Sequence, residues 1–335
     1  MRAPKHTAEI AAIAVAVALV SSAAFAFSVR IGSFHITIGS HRHRHYHNHR
    51  FVAPSRPAAP EHAAAARGSA SSLFYPQLAL AGVVADVFAP PPPWPFDYQS
   101  IVVTAFTRSE PQSAQVCEPQ SNLADKFLLP LDAALALTDA QAQSLDKVGD
   151  ALDAAQNALA KSCPDAVPSA PIARLQLMDS QIGQLAAVLG GIRPALQNFQ
   201  HALTDEQLAR FAVMIAAPNE NGAGKGDAAP GCGGDSSSTT DRTISLIDQA
   251  IQPTATPRDA LNAFKEALGN AAADLQADCT APMPPTGPGR LGMIATRLDT
   301  TRRAVRSIEA ALTKFRATLN DEQKARLDAA SFVPR

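Results

Sequence analysis

Residues 174–211 have the sequence RLQLMDSQIGQLAAVLGGIRPALQNFQHALTDEQLARF. Apolar residues recur in this stretch at alternating steps of three and four, the spacing that lines one side of an α-helix. The pattern predicts a helix of about 30 residues with a coiled-coil-like seam. Pro194 is expected to kink or break this helix, because proline has no backbone N–H. The seam consists of Leu175, Met178, Ile182, Leu185, Leu189, Ile192, Leu196, Phe199 and Leu203.

The same pattern returns 116 residues later in the chain, without a gap. Arg174 and Arg290 stand at equivalent positions near the start of the two long helices. Ala310 replaces Pro194 in the second helix, which is therefore expected to be straighter. The second seam consists of Leu291, Ile294, Leu298, Thr301, Val305, Ile308, Leu312, Phe315 and Leu319. These matches identify a tandem duplication.

Other amphipathic segments surround each long helix. An earlier seam at Leu145, Val148, Leu152, Ala155 and Leu159 is matched by Leu261, Phe264, Leu268, Ala271 and Leu275. Shorter helices are predicted near residues 122–136, 205–216, 240–251 and 321–330. The predicted fold is all-α, with two tandem small bundles of three to four helices and a disordered N-terminal tail.

Composition divides the chain into five predicted parts. The N-terminal tail contains a short strand signal at residues 34–38 and the proline run 90–93, which favours extended backbone. The five parts are a signal peptide (1–26), a His-, Pro- and Ala-rich tail (27–116), a first helical repeat (117–217), a flexible linker (218–231) and a second helical repeat (232–335).

The N-terminus has the features of a secretory signal peptide. Arg2 and Lys5 precede an apolar run at residues 10–20, and Ala24-Phe25-Ala26 fits the small-x-small cleavage rule. We therefore predict a cleaved signal peptide and a periplasmic location, with no stable membrane span after cleavage. The alternative is an uncleaved anchor, because the charge-free stretch 10–29 is long enough to span a bilayer.

Export to an oxidising compartment favours disulfides for the four cysteines. Pairing Cys117 with Cys163 and Cys232 with Cys279 respects the repeat. Each bridge would join the start of one helix to the end of its antiparallel neighbour. A redox-active thiol pair is the alternative, although the sequence contains no Cys-x-x-Cys.

Three short motifs predict helix starts. They are Leu137-Thr138-Asp139-Ala140-Gln141, Leu203-Thr204-Asp205-Glu206-Gln207 and Leu319-Asn320-Asp321-Glu322-Gln323. Thr138, Thr204 or Asn320 caps the first turn, and the glutamine three residues later reaches back to the cap, as in a capping box. The copy-two counterpart of the first motif is Pro253-Thr254-Ala255-Thr256-Pro257, which keeps only the threonine.

These motifs, on long helices of an exported chain, resemble the LTXXQ-motif family, which includes Spy- and CpxP-like periplasmic proteins. Residues 174–211 resemble its alphaproteobacterial branch. The resemblance covers the chain from about Cys117 onward, twice. It implies an ATP-independent periplasmic chaperone or an envelope-stress modulator, with unfolded or envelope proteins as clients. Two units in one chain would imitate the dimer that single-unit members form.

Charge suggests one further surface. The formal net charge is −1, so the overall charge does not favour binding to nucleic acid. Arg297, Arg302, Arg303 and Arg306 lie close together on the second long helix, as a candidate cationic surface for clients. The alternative is an ordinary solvated helix face.

Five alternating histidines form a candidate metal site in the tail. In an extended chain, His41, His43, His45, His47 and His49 project to one side and would share a labile Zn, Ni or Cu ion. A solvated, pH-sensitive tail is the alternative. No other cofactor is predicted.

No catalytic motif is present in the sequence, so the chain is predicted not to be an enzyme. The leading hypothesis is a chaperone-like binding protein. The alternatives are a periplasmic metal-binding or metal-sensing protein and a structural helical spacer. The sequence leaves the oligomeric state open.

Overall fold

A computed structural model of the chain describes residues 27–31, 34–38, 70–88, 94, 96–107, 117–119, 122–216, 236–252, 255–279 and 283–330. The chain divides into two compact units, residues 1–55 and residues 56–335. The first unit contains a two-stranded antiparallel hairpin, β1 (Phe27–Ile31) and β2 (Phe34–Ile38), with Phe27 opposite Ile38. The predicted strand at residues 34–38 is confirmed, and its partner was not foreseen.

The described part of the second unit is helical, which confirms the all-α prediction for the duplicated region. A 3₁₀ turn (Ala70–Leu73) precedes the first α-helix. The α-helices are α1 (Pro76–Phe88), α2 (Tyr98–Phe106), α3 (Leu123–Leu135), α4 (Asp139–Lys161), α5 (Pro171–Ala202), α6 (Asp205–Ala216), α7 (Ser236–Ile251), α8 (Ala255–Cys279), α9 (Gly287–Ala317) and α10 (Asp321–Ala329).

Each repeat contributes four helices in the order short, long, long, short. Repeat 1 comprises α3 to α6, and repeat 2 comprises α7 to α10. Every seam residue predicted on α4, α5, α8 and α9 is buried. The apolar periodicity therefore correctly identified the face of each long helix that enters the core.

The two repeats share one core through their longest helices. Helices α5 and α9 pack against each other, and each also packs against the other long helix of its own repeat. They run antiparallel, because Gln176 Nε2 donates to Glu309 Oε1 at 2.9 Å while Leu196 lies beside Gly287. This pairing relates the repeats by an approximate two-fold axis near the middle of α5 and α9.

Pro194 was predicted to kink or break α5, and the break is wrong, since α5 continues through this residue to Ala202. Proline removes the hydrogen bond to the carbonyl four residues earlier, which belongs to Gly190. Both Gly190 and Pro194 are exposed, so water can satisfy that carbonyl.

The predicted tail over residues 27–116 requires correction. Residues 76–88 and 98–106 form α1 and α2, which pack against both repeats. Their apolar side chains are almost wholly buried, with Leu80 and Ile101 at 0% exposure. The proline run at residues 90–93 favoured an extended chain, but this run comes after the last residue of α1, Phe88, in the sequence. The predicted signal peptide and linker lie outside the described residues.

Candidate functional site

All three predicted helix starts form capping boxes. Gln141 Oε1 accepts from the Thr138 backbone N–H at 3.0 Å, and the Gln141 N–H donates to Thr138 Oγ1 at 3.4 Å. The same reciprocal bonds join Thr204 to Gln207 and Asn320 to Gln323. Leu203 and Leu319 are buried and Leu137 is half-buried, so all three leucines contribute to the core.

The glutamines of repeat 1 also hold the bundle together. Gln141 and Gln207 form a reciprocal amide pair, with Nε2-to-Oε1 distances of 2.8 and 3.0 Å. Gln141 Nε2 also donates to the Ala202 carbonyl, and Gln207 Nε2 donates to the Leu135 carbonyl. Each glutamine thus caps the last turn of the helix that precedes the other motif.

Repeat 2 retains half of this arrangement. Gln323 Nε2 donates to the Ile251 carbonyl at 3.2 Å, the equivalent of the bond from Gln207 to Leu135. Pro257 occupies the position equivalent to Gln141 and has no amide to offer. The motif glutamine is therefore a cap in both repeats and a paired tertiary contact only in repeat 1.

This difference predicts unequal effects of removing the two glutamines. Gln207→Ala would remove both bonds to the Gln141 amide, the bond to the Leu135 carbonyl and the bond from the Thr204 N–H, at a cost of about 2 kcal/mol in the free energy of unfolding. Gln323→Ala, the matched change, would remove only the bonds to the Ile251 carbonyl and from the Asn320 N–H and should cost about 1 kcal/mol. Urea unfolding of both variants measures the difference, and an equal loss would contradict the pairing.

The first helix of each repeat is followed by a residue with a left-handed backbone conformation, and the two residues occupy equivalent positions in the repeats. Ala136 has φ 49° and Gln252 has φ 46°, and neither is glycine. Glycine adopts this conformation without a Cβ penalty. Ala136→Gly is therefore expected to raise the free energy of unfolding by about 0.5–1 kcal/mol, as measured by urea unfolding. Ala133→Gly, at an exposed position in the last turn of α3, is the control and should lower it.

A disulfide joins Cys117 to Cys163, with a Cα–Cα distance of 5.8 Å, which confirms the first predicted pair. It ties the segment before α3 to the end of α4. Cys232 and the side chain of Cys279 lie outside the described residues, so the second pair stays a prediction.

The candidate cationic surface is not a cluster of free arginines. Arg297 is buried at 8% exposure, so its assignment to an exposed surface is wrong. Arg302 and Arg306 both pair with Asp179 of α5 at 3.0 Å, and Arg303 pairs with Asp299 in its own helix. These arginines join the two repeats or stabilise α9, and their binding role stays a prediction.

The histidine run at residues 41–49 lies outside the described residues, so metal binding there also stays a prediction. Among the described residues, no three His, Cys, Asp or Glu side chains come together as a set of metal ligands. Nor does any helix in the described part of the chain have the length and apolar character needed to cross a bilayer.

Helices α1 and α2 occupy two similar grooves on the frame that the repeats form. Helix α1 packs against α3, α4, α5 and α6 of repeat 1 and against α9 of repeat 2. Helix α2 packs against α7 and α8 of repeat 2 and against α5 of repeat 1. Both grooves include the first two helices of one repeat and the third helix of the other, and the groove of α1 also includes α5 and α6 of its own repeat.

Equivalent arginines hold the two helices at their C-terminal turns. Arg174 Nε donates to the Thr104 carbonyl of α2 at 2.8 Å, and Arg290 Nη1 donates to the Asp86 carbonyl of α1 at 3.0 Å. Each guanidinium is also anchored to a proline carbonyl six residues earlier, Pro168 or Pro284. The equivalence of these arginines was visible in the sequence, but their partners were not.

A buried carboxyl lies on the groove side of α1. Asp86 is 3% exposed, and its Oδ1 has no hydrogen-bond partner among the described residues. Burial raises the pKa of Asp86 to about 8, against the opposing charges of Arg297 and Arg290. Arg297 itself lies over the Trp94 ring, with 5.8 Å between its Cζ and the ring centroid.

The fold and its caps define a class of protein: a duplicated helical bundle in which three helices, α4, α6 and α10, begin at LTxxQ-type capping boxes. The family model described as LTXXQ motif family protein matches residues 127–214 and 239–331, which are more than half of the chain. The chain belongs to this family and contains two copies of its unit. Helices α1 and α2 lie outside both matched regions. Comparisons with curated proteins and with solved structures found no match.

Proposed function

We propose that the protein is an exported, non-catalytic binding protein that acts as an ATP-independent chaperone of unfolded or envelope proteins. Family membership supports this proposal, because the Spy- and CpxP-like proteins that the sequence resembles imply such a role. The signal-like N-terminus supports a periplasmic location, which N-terminal sequencing of the protein from a periplasmic extract would test.

One structural observation carries the proposal. The two repeats hold two apolar helices, α1 and α2, in their grooves, and both helices lie outside the regions that the family model matches. Apolar segments are what an unfolded protein exposes and what a chaperone must cover. The two repeats therefore have surfaces of the required chemistry.

Light scattering tests this function. A chemically denatured client is diluted with and without the mature, oxidised protein, at matched ionic strength and without ATP. We expect scattering to fall as the protein is added in stoichiometric amounts, whereas an inert helical protein of similar size should have no effect. Full aggregation at a several-fold molar excess would overturn the proposal.

A further inference from the structure

The two grooves are equivalent under the repeat, but the helices inside them differ in sequence. Helix α1 is PQLALAGVVADVF and α2 is YQSIVVTAF. The two share apolar side chains on nearly all sides and a phenylalanine at the last position. Because the corresponding grooves accept unlike helices of 13 and 9 residues, the grooves select for apolar character and not for one sequence or one length.

Recognition of the helix end is common to both grooves. The carbonyls in the last turn of a helix have no partner within the helix, and a cation close to them is also favoured by the helix dipole. Thr104 and Asp86 each lie two residues before the end of their helix, and each accepts from the equivalent arginine. Arg290 Nη2 also donates to the Ile215 carbonyl, which fixes its guanidinium in the groove.

Neither resident helix satisfies its groove completely. Asp86 and Thr104 are equivalent positions on α1 and α2, and Arg297 and Gln181 are equivalent positions on α9 and α5. All four are buried, and each has a side-chain atom without a hydrogen-bond partner among the described residues. Buried polar atoms without partners oppose packing, so the C-terminal half of each helix is suited to exchange. Near its N-terminus each helix also makes a buried side-chain hydrogen bond, from Gln77 to the Leu159 carbonyl in α1 and between Tyr98 and Thr240 in α2, which a client would have to replace.

We propose that each groove is a receptor for a short apolar helix of a client, and that α1 and α2 occupy the two receptors in cis until a client helix displaces them. This inference rests on the proposed function and names its site. The partner is an apolar helix of about 9–13 residues whose C-terminal carbonyls reach Arg174 or Arg290. Because a client binds only an open groove, the cis helices would lower the apparent affinity for clients in proportion to the fraction of grooves that they leave open.

Variants of α1 that weaken or strengthen its docking test the proposal. Leu80→Ala removes a fully buried side chain of the cis helix and leaves the groove intact. Gly82→Ala strengthens the helix, because a Cβ at Gly82 would meet nothing within 4 Å and alanine forms helix far better than glycine. Leu327→Ala, in α10, removes a buried leucine outside this groove and is the matched control.

The probe is a synthetic peptide of residues 76–88 with an N-terminal lysine tag and a fluorophore, and the readout is fluorescence anisotropy with the full mature protein. We expect Leu80→Ala to bind the peptide at least about tenfold more tightly than the natural protein. Gly82→Ala should bind it about fivefold more weakly. Adding Arg290→Met to Leu80→Ala should cost about tenfold in affinity, because the peptide's last carbonyls lose their donor.

Equal peptide affinity in the natural protein, Leu80→Ala and Gly82→Ala would overturn the inference, as would equal gains in Leu80→Ala and Leu327→Ala. If Leu80→Ala does not fold, Gly82→Ala still tests the inference. In that variant we expect hydrogen exchange in residues 76–88 to slow about fivefold and the protection of clients from aggregation to fall by a similar factor. Slower exchange with unchanged client protection would also overturn it. A different result would overturn the proposed function alone: the natural protein protects no client from aggregation, although Leu80→Ala binds the peptide.

Discussion

Replacing Asp86 with asparagine is expected to raise the free energy of unfolding at pH 7 by roughly 2–4 kcal/mol. The reason is the burial of this carboxyl, which raises its pKa from 3.8 to about 8 in the folded chain. The folded state therefore retains a proton that the unfolded chain releases near pH 4. Asparagine is neutral at every pH and avoids that cost.

The direction of the pH dependence follows from the same shift. Because the folded pKa is higher than the unfolded pKa, Asp86 contributes its full stability below about pH 4 and loses it as the pH rises toward 8. The natural protein should thus lose stability through Asp86 over this range, and Asp86→Asn should not. Arg290 and Arg297 oppose the shift, and the Asp278 charge acts in turn on Arg297.

Urea unfolding of the natural protein and Asp86→Asn at about pH 5 and about pH 7.5 measures this effect. The gap between the two proteins should widen with pH. Asp150→Asn, at an exposed position on α4, is the control and should change neither value appreciably. If Asp86 instead forms an ionised pair with Arg297, the asparagine variant will be the less stable protein at pH 7, and the present assignment is wrong.

The second large effect is expected from the disulfide. Replacing both Cys117 and Cys163 with serine opens a loop with a sequence separation of 46 residues. The chain-entropy model gives such a loop about 3–4 kcal/mol in the free energy of unfolding. The loss arises mainly in the unfolded chain, which becomes free to separate the two ends.

Urea unfolding of the oxidised double variant against the oxidised natural protein measures the loss. Reductant is not a substitute for the variant, because it would also open the predicted bridge between Cys232 and Cys279. Ser162→Ala, next to Cys163, controls for small changes at the end of α4. A loss below about 1 kcal/mol would contradict the expected role of the bridge.

The sequence alone predicts most helices of the two repeats, because the patterns that identify them are local and occur twice. The two seams ending at Leu203 and Leu319 identify α5 and α9, and every seam residue is buried. The capping boxes at Thr138, Thr204 and Asn320 follow from spacing within four residues. A sequence pattern that depends only on neighbouring residues predicts the same helix whatever distant residues pack against it.

Three features could not be predicted, because they depend on distant partners. Helices α1 and α2 are apolar on almost all sides, so they have no polar face to reveal a helical period. The pairing of Gln141 with Gln207 needs the packing of α3 against α6, which spacing does not specify. Arg297 resembles its exposed neighbours in sequence, although it lies beside Trp94 in the core.

Hydrogen exchange with a bound client tests most directly whether clients bind in the grooves by displacing α1 and α2. The mature, oxidised protein is labelled alone and with an excess of denatured client, and protection is compared along the chain. We predict faster exchange in residues 76–88 and 98–106 when the client is bound, with α5 and α9 still protected. Unchanged or stronger protection of both helices, together with client binding, would contradict the claim.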